Sequence, residues 1–261
     1  MRLGSTFKAL PPVTKNLLII NIIIWGAINL LFRSTENKLL DFCALHYFTA
    51  ETFNPAQLIT YMFIHVDFVH LFFNMFALFM FGMVIERTMG SKRFLFYYIT
   101  CGIGAALIQE GVFALMISNY AAHMPDGAVA LISKNNSEAL LMLMQPHPET
   151  WIYQGEFINA IHQIHNLIYT PVVGASGAIF GVLLAFGFLF PRQPLYMMFI
   201  PVPIQARWFV IGYGALELLQ GVSNNPGDQV AHFAHLGGML IGLLLLIYWK
   251  KKGVFNNGRW F

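Results

Sequence analysis

The sequence predicts an all-α fold: a polytopic membrane protein built as a bundle of six transmembrane helices. Three observations predict it. Of 261 residues, 57% are hydrophobic and only 10% charged, against about 25% charged in a soluble domain; so few charges cannot coat a water-facing surface. Six segments approach the ~20 apolar residues that a bilayer crossing needs. The basic residues are sorted into alternate connections between those segments. Together these exclude a soluble globular enzyme, a disordered chain and a nucleic-acid binder. The net charge of +3 is spread along the chain and forms no basic patch.

The first span covers about 16–32, behind a short basic segment, 1–15. No small-residue cleavage site follows it, so it reads as an uncleaved span rather than a signal peptide. The second covers about 63–85 and the third about 94–117. The fourth covers 172–190, the fifth 206–221 and the sixth 230–249, with a basic tail at 250–261. Between the third and fourth lies an insert, 118–171, broken by Pro125, Pro146 and Pro148. It reads as short amphipathic helices at the membrane surface. With the N-terminus inside, the inner loops collect Arg2, Lys8, Lys15, Arg87, Lys92, Arg93, Arg192, Arg207, Lys250, Lys251, Lys252 and Arg259. Only Arg33, Lys38 and Lys134 fall outside. Both termini are therefore expected to be cytoplasmic, in a multi-pass protein of the plasma (inner) membrane. Cys43 and Cys101 are too few for a disulfide framework or a four-ligand zinc site.

Polar groups within spans are costly, and each is a functional candidate. The second span opens with His70 and Asn74, four apart on one face. The fourth opens with Gly174-Ala175-Ser176-Gly177, and the sixth with His232-Phe233-Ala234-His235. All three helices run from outside to inside. At 1.5 Å per residue, Ser176, His235 and His70 lie roughly 6, 8 and 9 Å below the outer end of their spans. Gly177 with Gly181, and Gly238 with Gly242, are small-xxx-small pairs that let helices approach closely. Close packing there would bring a hydroxyl to an imidazole, the nucleophile-plus-base arrangement of acyl transfer. A lone serine or histidine in such a place is usually packing or hydrated. The joint pattern at matching depth is what points to chemistry.

These residues resemble the rhomboid intramembrane serine proteases of the bacterial, six-helix type. The resemblance covers about 63–246, apart from the insert. It is carried by His70-x-x-x-Asn74, Gly174-x-Ser176-Gly177 and Ala234-His235-x-Gly237-Gly238-x-x-x-Gly242. It implies a serine endopeptidase cleaving single-pass or polytopic membrane proteins near the outer end of a transmembrane segment. Ser176 would be the nucleophile and His235 the base of a dyad with no acidic member; His70, Asn74 and the Ser176 N–H would form the oxyanion hole. Phe180, four residues after the serine, would stack on His235 where many relatives use Tyr. The glycines would pack the dyad. The partners implied are the lipid bilayer and membrane-protein substrates, with no cofactor, metal, ATP or nucleic acid. Three features depart from the family pattern. Thr88 stands where an Arg often follows Glu86-Arg87, the first outer loop lacks a Trp-Arg pair, and the insert is long.

Other expectations attach to single regions. Nothing on the sixth span offers a carboxylate beside His235. Glu217 and Glu110 read as hydrated groups near span ends, with gating or water retention as the sharper alternative, and Asp67 as loop-exposed. Trp151, Phe157 and Ile161 are expected on the membrane near the substrate entrance. Residues 222–229 are the candidate lid, and substrate would enter between the second and fifth spans. Three functions compete: an inactive rhomboid relative acting as a membrane-protein binding or quality-control factor, a metal or haem binder using His65, His70, His232 and His235, and a transporter, which would need polar residues through the inner half and matching helix breaks that the sequence does not show.

Overall fold

The computed structural model describes residues 10–31, 36–122, 124–134, 154–197, 200–223 and 231–255. The first helix, α1 (Pro12–Leu31), opens on a proline, whose missing N–H costs nothing at a helix start. The next backbone donors, the N–H groups of Val13 and Thr14, go to the carboxylate of Glu86 at 2.9 and 2.6 Å. Ser91 donates to the same carboxylate at 2.7 Å. Glu86 is thus buried as the cap of α1, three hydrogen bonds answering the cost of burying its charge.

Two short helices, α2 (Glu36–Cys43) and α3 (Gln57–Thr60), precede the second long helix, α4 (Phe68–Met89). Asp67 is its N-cap, accepting from the His70 N–H at 2.7 Å. Asp67 is exposed just before the helix, as the sequence suggested, and its carboxylate satisfies a donor that the helix start leaves free. A π-turn at Leu78–Gly82 interrupts α4. Next comes α5 (Ser91–Ala121), whose 31 residues reach about 46 Å, beyond a ~30 Å hydrocarbon core.

The far end of α5 carries a second, smaller core. There Ile117 meets Ala50, Ile132 of α6 (Ala128–Ser133), and Ile161, Ile164 and Ile168 of α7 (Gln154–Tyr169). The spacing of those three isoleucines is one apolar helix stripe. The insert is therefore partly helical and amphipathic, as expected, but Ile161 is wholly buried against α5 rather than spread on lipid. Phe157 packs at the edge of the same cluster. Trp151 lies outside the described residues.

The chain returns through α8 (Ser176–Leu189), a hairpin of β1 (Pro194–Met197) and β2 (Ile200–Gln205), α9 (Ala206–Ser223) and α10 (His232–Lys251). The hairpin, with Pro194 opposite Gln205, was not visible as a pattern in the sequence. The fold is a polytopic helical membrane bundle. Four of the described helices, α1, α4, α5 and α10, are long and apolar enough to cross a bilayer. At 14 residues α8 spans about 21 Å, and α9 is diluted by Arg207, Glu217 and Gln220. Large apolar side chains such as Ile23, Leu115, Leu219 and Leu244 face outward, a surface that suits lipid and not water.

At the centre, α5, α8 and α10 pack together with glycines at their contacts. A Cβ on Gly181 would sit 2.6 Å from Cys101 Sγ, and one on Gly177 2.6 Å from Ala105 Cβ. A Cβ on Gly238 would overlap the carbonyl oxygen of Gly177, and one on Gly242 the Tyr97 hydroxyl. Tyr97 OH in turn donates to the Gly181 carbonyl at 2.8 Å. The small-residue pairs thus do bring the serine-bearing and histidine-bearing helices into backbone contact.

Candidate active site

The helix α8 begins at Ser176, four residues later than the apolar run suggests. Val172 is held in an antiparallel bridge with Leu45, and the Gly174 N–H donates to the Tyr61 carbonyl at 2.9 Å. Gly174 has φ +118°, a region L side chains rarely enter, and a Cβ there would lie 2.7 Å from His70 Nε2. This glycine therefore lets the chain turn sharply under the His70 ring and start a helix at once. Ser176 then occupies the first helical turn, where backbone N–H groups have no intrahelical acceptor and the helix dipole favours negative charge.

Ser176 Oγ lies 2.7 Å from His235 Nε2. The two side chains are brought together from 59 residues apart by the glycine contact of α8 with α10. Phe180, one turn below the serine, stacks on the His235 ring at 4.2 Å and 6°, with Tyr213 behind it at 5.0 Å. Stacking without a hydroxyl is what the sequence implied for this position.

The acidic group was not foreseen. Glu217 Oε2 is 2.8 Å from His235 Nδ1 and 2.7 Å from His232 Nδ1, and all three residues are buried. The expectation that Glu217 is a hydrated interfacial group is therefore wrong: it is 4% exposed and shared by two imidazoles. The expectation that no carboxylate lies beside His235 holds only for the sixth span itself; the carboxylate arrives on α9. A carboxylate oxygen accepts hydrogen bonds, so both Nδ1 atoms present hydrogen to it, and His235 Nε2 is left to accept from the serine hydroxyl. A hint existed in the sequence: His232 and His235 share a helix face, and one carboxylate stands alone in the neighbouring span.

His70, Asn74, Ser176 and His235 line one cavity of about 920 Å3, as do Phe180, Tyr213 and His232. The Asn74 amide donates to the His70 carbonyl at 3.0 Å, back along its own helix. The His70 ring meets His65 edge-on at 5.0 Å. Cavity walls come from α4 (Val69, Phe73, Phe76) and from α9 (Phe209, Tyr213, Gln220), with Gln163 and Asn166 of α7 adding a polar rim. Residues 224–229 of the expected lid lie outside the described residues; Val222 and Ser223 end α9. Glu110 is likewise buried, accepting from the Phe48 N–H at 3.1 Å, which ties a loop to α5 and replaces the hydrated reading.

The four histidines of the metal alternative do not form one ligand set. Among the described residues, the group whose ligand atoms converge is Glu217, His232 and His235, within 4.8 Å. Those contacts are ordinary hydrogen-bond distances between donors and an acceptor.

Residues 53–123 and 149–252 match the family pattern of the rhomboid domain. The chain belongs to the rhomboid family. It is 32% identical over 204 residues to "RHOMBOID-like protein 12, mitochondrial" of Arabidopsis thaliana, covering 76% of this chain and 47% of that protein. It is 26% identical over 206 residues to "Rhomboid protein 1, mitochondrial" of Saccharomyces cerevisiae, covering 76% and 45%. With "Rhomboid protease AarA" of Providencia stuartii it shares 27% over 227 residues, covering 82% and 63%. The chain thus spans about half the length of the first two relatives. The family and the long apolar helices make this a multi-pass membrane protein. Two of the three relatives carry mitochondrial names, so the plasma membrane expected from the sequence has no support from them.

Proposed function

We propose that this rhomboid-family chain is an intramembrane serine endopeptidase acting on membrane-anchored proteins. The observation that carries the reading is the 2.7 Å contact of Ser176 Oγ with His235 Nε2 on the wall of a cavity within the helical bundle. The resemblance to a bacterial protein named as a rhomboid protease supports it.

In this mechanism the Ser176 proton passes to His235 Nε2 as Oγ bonds to the scissile carbonyl carbon. The carbonyl oxygen, now negative, is held by the Ser176 N–H at the start of α8, together with His70 and the Asn74 amide from α4. For Asn74 this requires its amide to leave the His70 carbonyl. His235 then returns the proton to the leaving amine, and the acyl group stays on Ser176. Water attacks the acyl carbon, giving a proton to His235; the C–Oγ bond then breaks as His235 returns that proton to Oγ, releasing the carboxylic acid. Every proton and bond is accounted for by the chain, substrate and water, without ATP or a cofactor.

A transmembrane substrate would enter from lipid between α4 and α9, the two helices that form the apolar cavity walls. Residues 1–15 and 250–261 would lie on the inner side, and the cavity and insert toward the outer side, as the Lys and Arg bias supports. An inactive rhomboid relative is the competing function; both Ser176 and His235 are present and in contact, which favours activity.

The test uses the full chain in detergent with a single-span model substrate. Ser176→Ala and His235→Ala are each expected to lower kcat by on the order of 10⁴-fold or more. Equal cleavage by both variants and the wild type would overturn the reading. So would a fluorophosphonate probe that labels residues other than Ser176.

A further inference from the structure

We propose that Glu217 is a positioning residue for His235, so that the site works as a Ser176–His235–Glu217 triad whose carboxylate is supplied by a neighbouring helix. The inference rests on the serine-protease reading above and extends it to a residue outside the dyad.

Two constraints on the imidazole act in different directions. The Phe180 ring lies parallel to it at 4.2 Å and fixes its plane. A stacked face, however, survives a 180° flip of the ring about Cβ–Cγ, which puts Cδ2 where Nδ1 was and Cε1 where Nε2 was. The Glu217 contact removes that freedom, because it holds Nδ1 at 2.8 Å on the side of the ring away from the serine. The same contact selects the tautomer. With hydrogen on Nδ1, Nε2 carries the lone pair that must receive the Ser176 proton. When that proton arrives, the ring gains a positive charge facing a carboxylate in a buried site, where the attraction is strong. The proton itself stays on the imidazole throughout.

His232 completes the arrangement. A lone buried carboxylate would be costly, and its second donor, His232 Nδ1 at 2.7 Å, helps to keep Glu217 in place. A purely structural role for Glu217 would be met by His232 alone. The shared use of one oxygen, Oε2, by the ring that also touches the serine is what points to function.

The experiment measures kcat and KM of the full chain on a fluorogenic single-span substrate, together with the rate of Ser176 phosphonylation by a fluorophosphonate and the thermal midpoint. Glu217→Gln can offer an NH2 to Nδ1 and so favours the wrong tautomer. It is expected to lower kcat by about 10²–10⁴-fold with KM changed less than about threefold, and to slow phosphonylation in parallel. Glu217→Asp is expected to recover part of the loss. His232→Gln removes the second donor to Glu217 and leaves the His235 contact, so it is expected to lower kcat by a smaller factor than Glu217→Gln. Wild-type kcat and phosphonylation in Glu217→Gln would overturn the proposal. An equal loss in His232→Gln, tracking a fall in thermal midpoint, would reduce Glu217 to a structural clamp and also overturn it. If Ser176→Ala cleaves like wild type, or the wild type neither cleaves nor reacts with the probe, the protease reading itself fails.

Discussion

The two sides of the cavity are built by different means. On one side, α8 lies against α5 and α10 through glycines, so closely that added methyl groups would strike backbone or buried side chains. On the other, α9 turns Trp208, Ile211, Leu216, Leu219 and Val222 outward, and Gly212 has nothing within 4 Å of where a Cβ would be. The first side is fixed by shape. The second reaches Phe180 through a tilted Tyr213 ring contact and His235 through one shared carboxylate. The difference teaches that a membrane protein can hold a serine and a histidine in register chiefly by close helix approach, while orienting the imidazole by polar contact from a neighbour with fewer such contacts.

Substitutions can break or sharpen that contrast. The largest effect on the seam between α8 and α10 is expected from Gly238→Ala, because the new methyl group would meet the Gly177 carbonyl, a backbone atom that cannot swing aside. Forced separation of α8 from α10 should cost ~1–3 kcal/mol and weaken the Ser176–His235 contact, read as a lower thermal midpoint together with reduced cleavage. An unchanged midpoint would mean that the seam is softer than its geometry indicates. A smaller effect on cleavage is expected from Phe180→Ala, which removes the ring stacked on His235; that ring is buried, so the thermal midpoint falls as well. The interaction is worth ~0.5–1.5 kcal/mol beyond burial, so kcat/KM should fall about 2–12-fold. Phe180→Tyr should stay close to wild type; a loss as large as that of the alanine variant would show that the ring position is too tight for a hydroxyl. The least effect is expected from Gly212→Ala on α9. It meets nothing, and helix propensity favours alanine by up to ~1 kcal/mol, so thermal unfolding should be unchanged or slightly later.

The same contrast explains what could be read from the sequence. Glycines four apart, a serine before one pair and a histidine before the other are local patterns, and helical periodicity converts them directly into a shared face and depth. That Ser176, His235, His70 and Asn74 line one cavity was legible in this way, whereas the stacking of Phe180 was expected from the family resemblance. Glu217 was not, because its meaning depends on the rotation of α9 about its own axis. That rotation is set by packing against α10, and a single carboxylate near a span end looks the same whether it faces water or two imidazoles. The start of α8 was misread by four residues because hydrophobicity does not register the Leu45–Val172 bridge or the positive φ of Gly174. The insert was legible as amphipathic helix, but not as packing on the overlong end of α5, since an apolar stripe fits lipid and isoleucine equally well.

The contact between Gly177 and Gly238 also acts as an axial stop. Helices that meet only through flexible side chains can slide, and a slip by one residue moves a helix about 1.5 Å along its axis and turns its faces by about 100°. Here the carbonyl of Gly177 lies where a side chain on residue 238 would begin, one residue beyond the serine and three beyond the histidine. At so short a lever arm, the seam sets the 2.7 Å separation of Ser176 from His235 almost directly. The bundle can therefore flex where α9 faces lipid while this one dimension stays gauged by main-chain atoms.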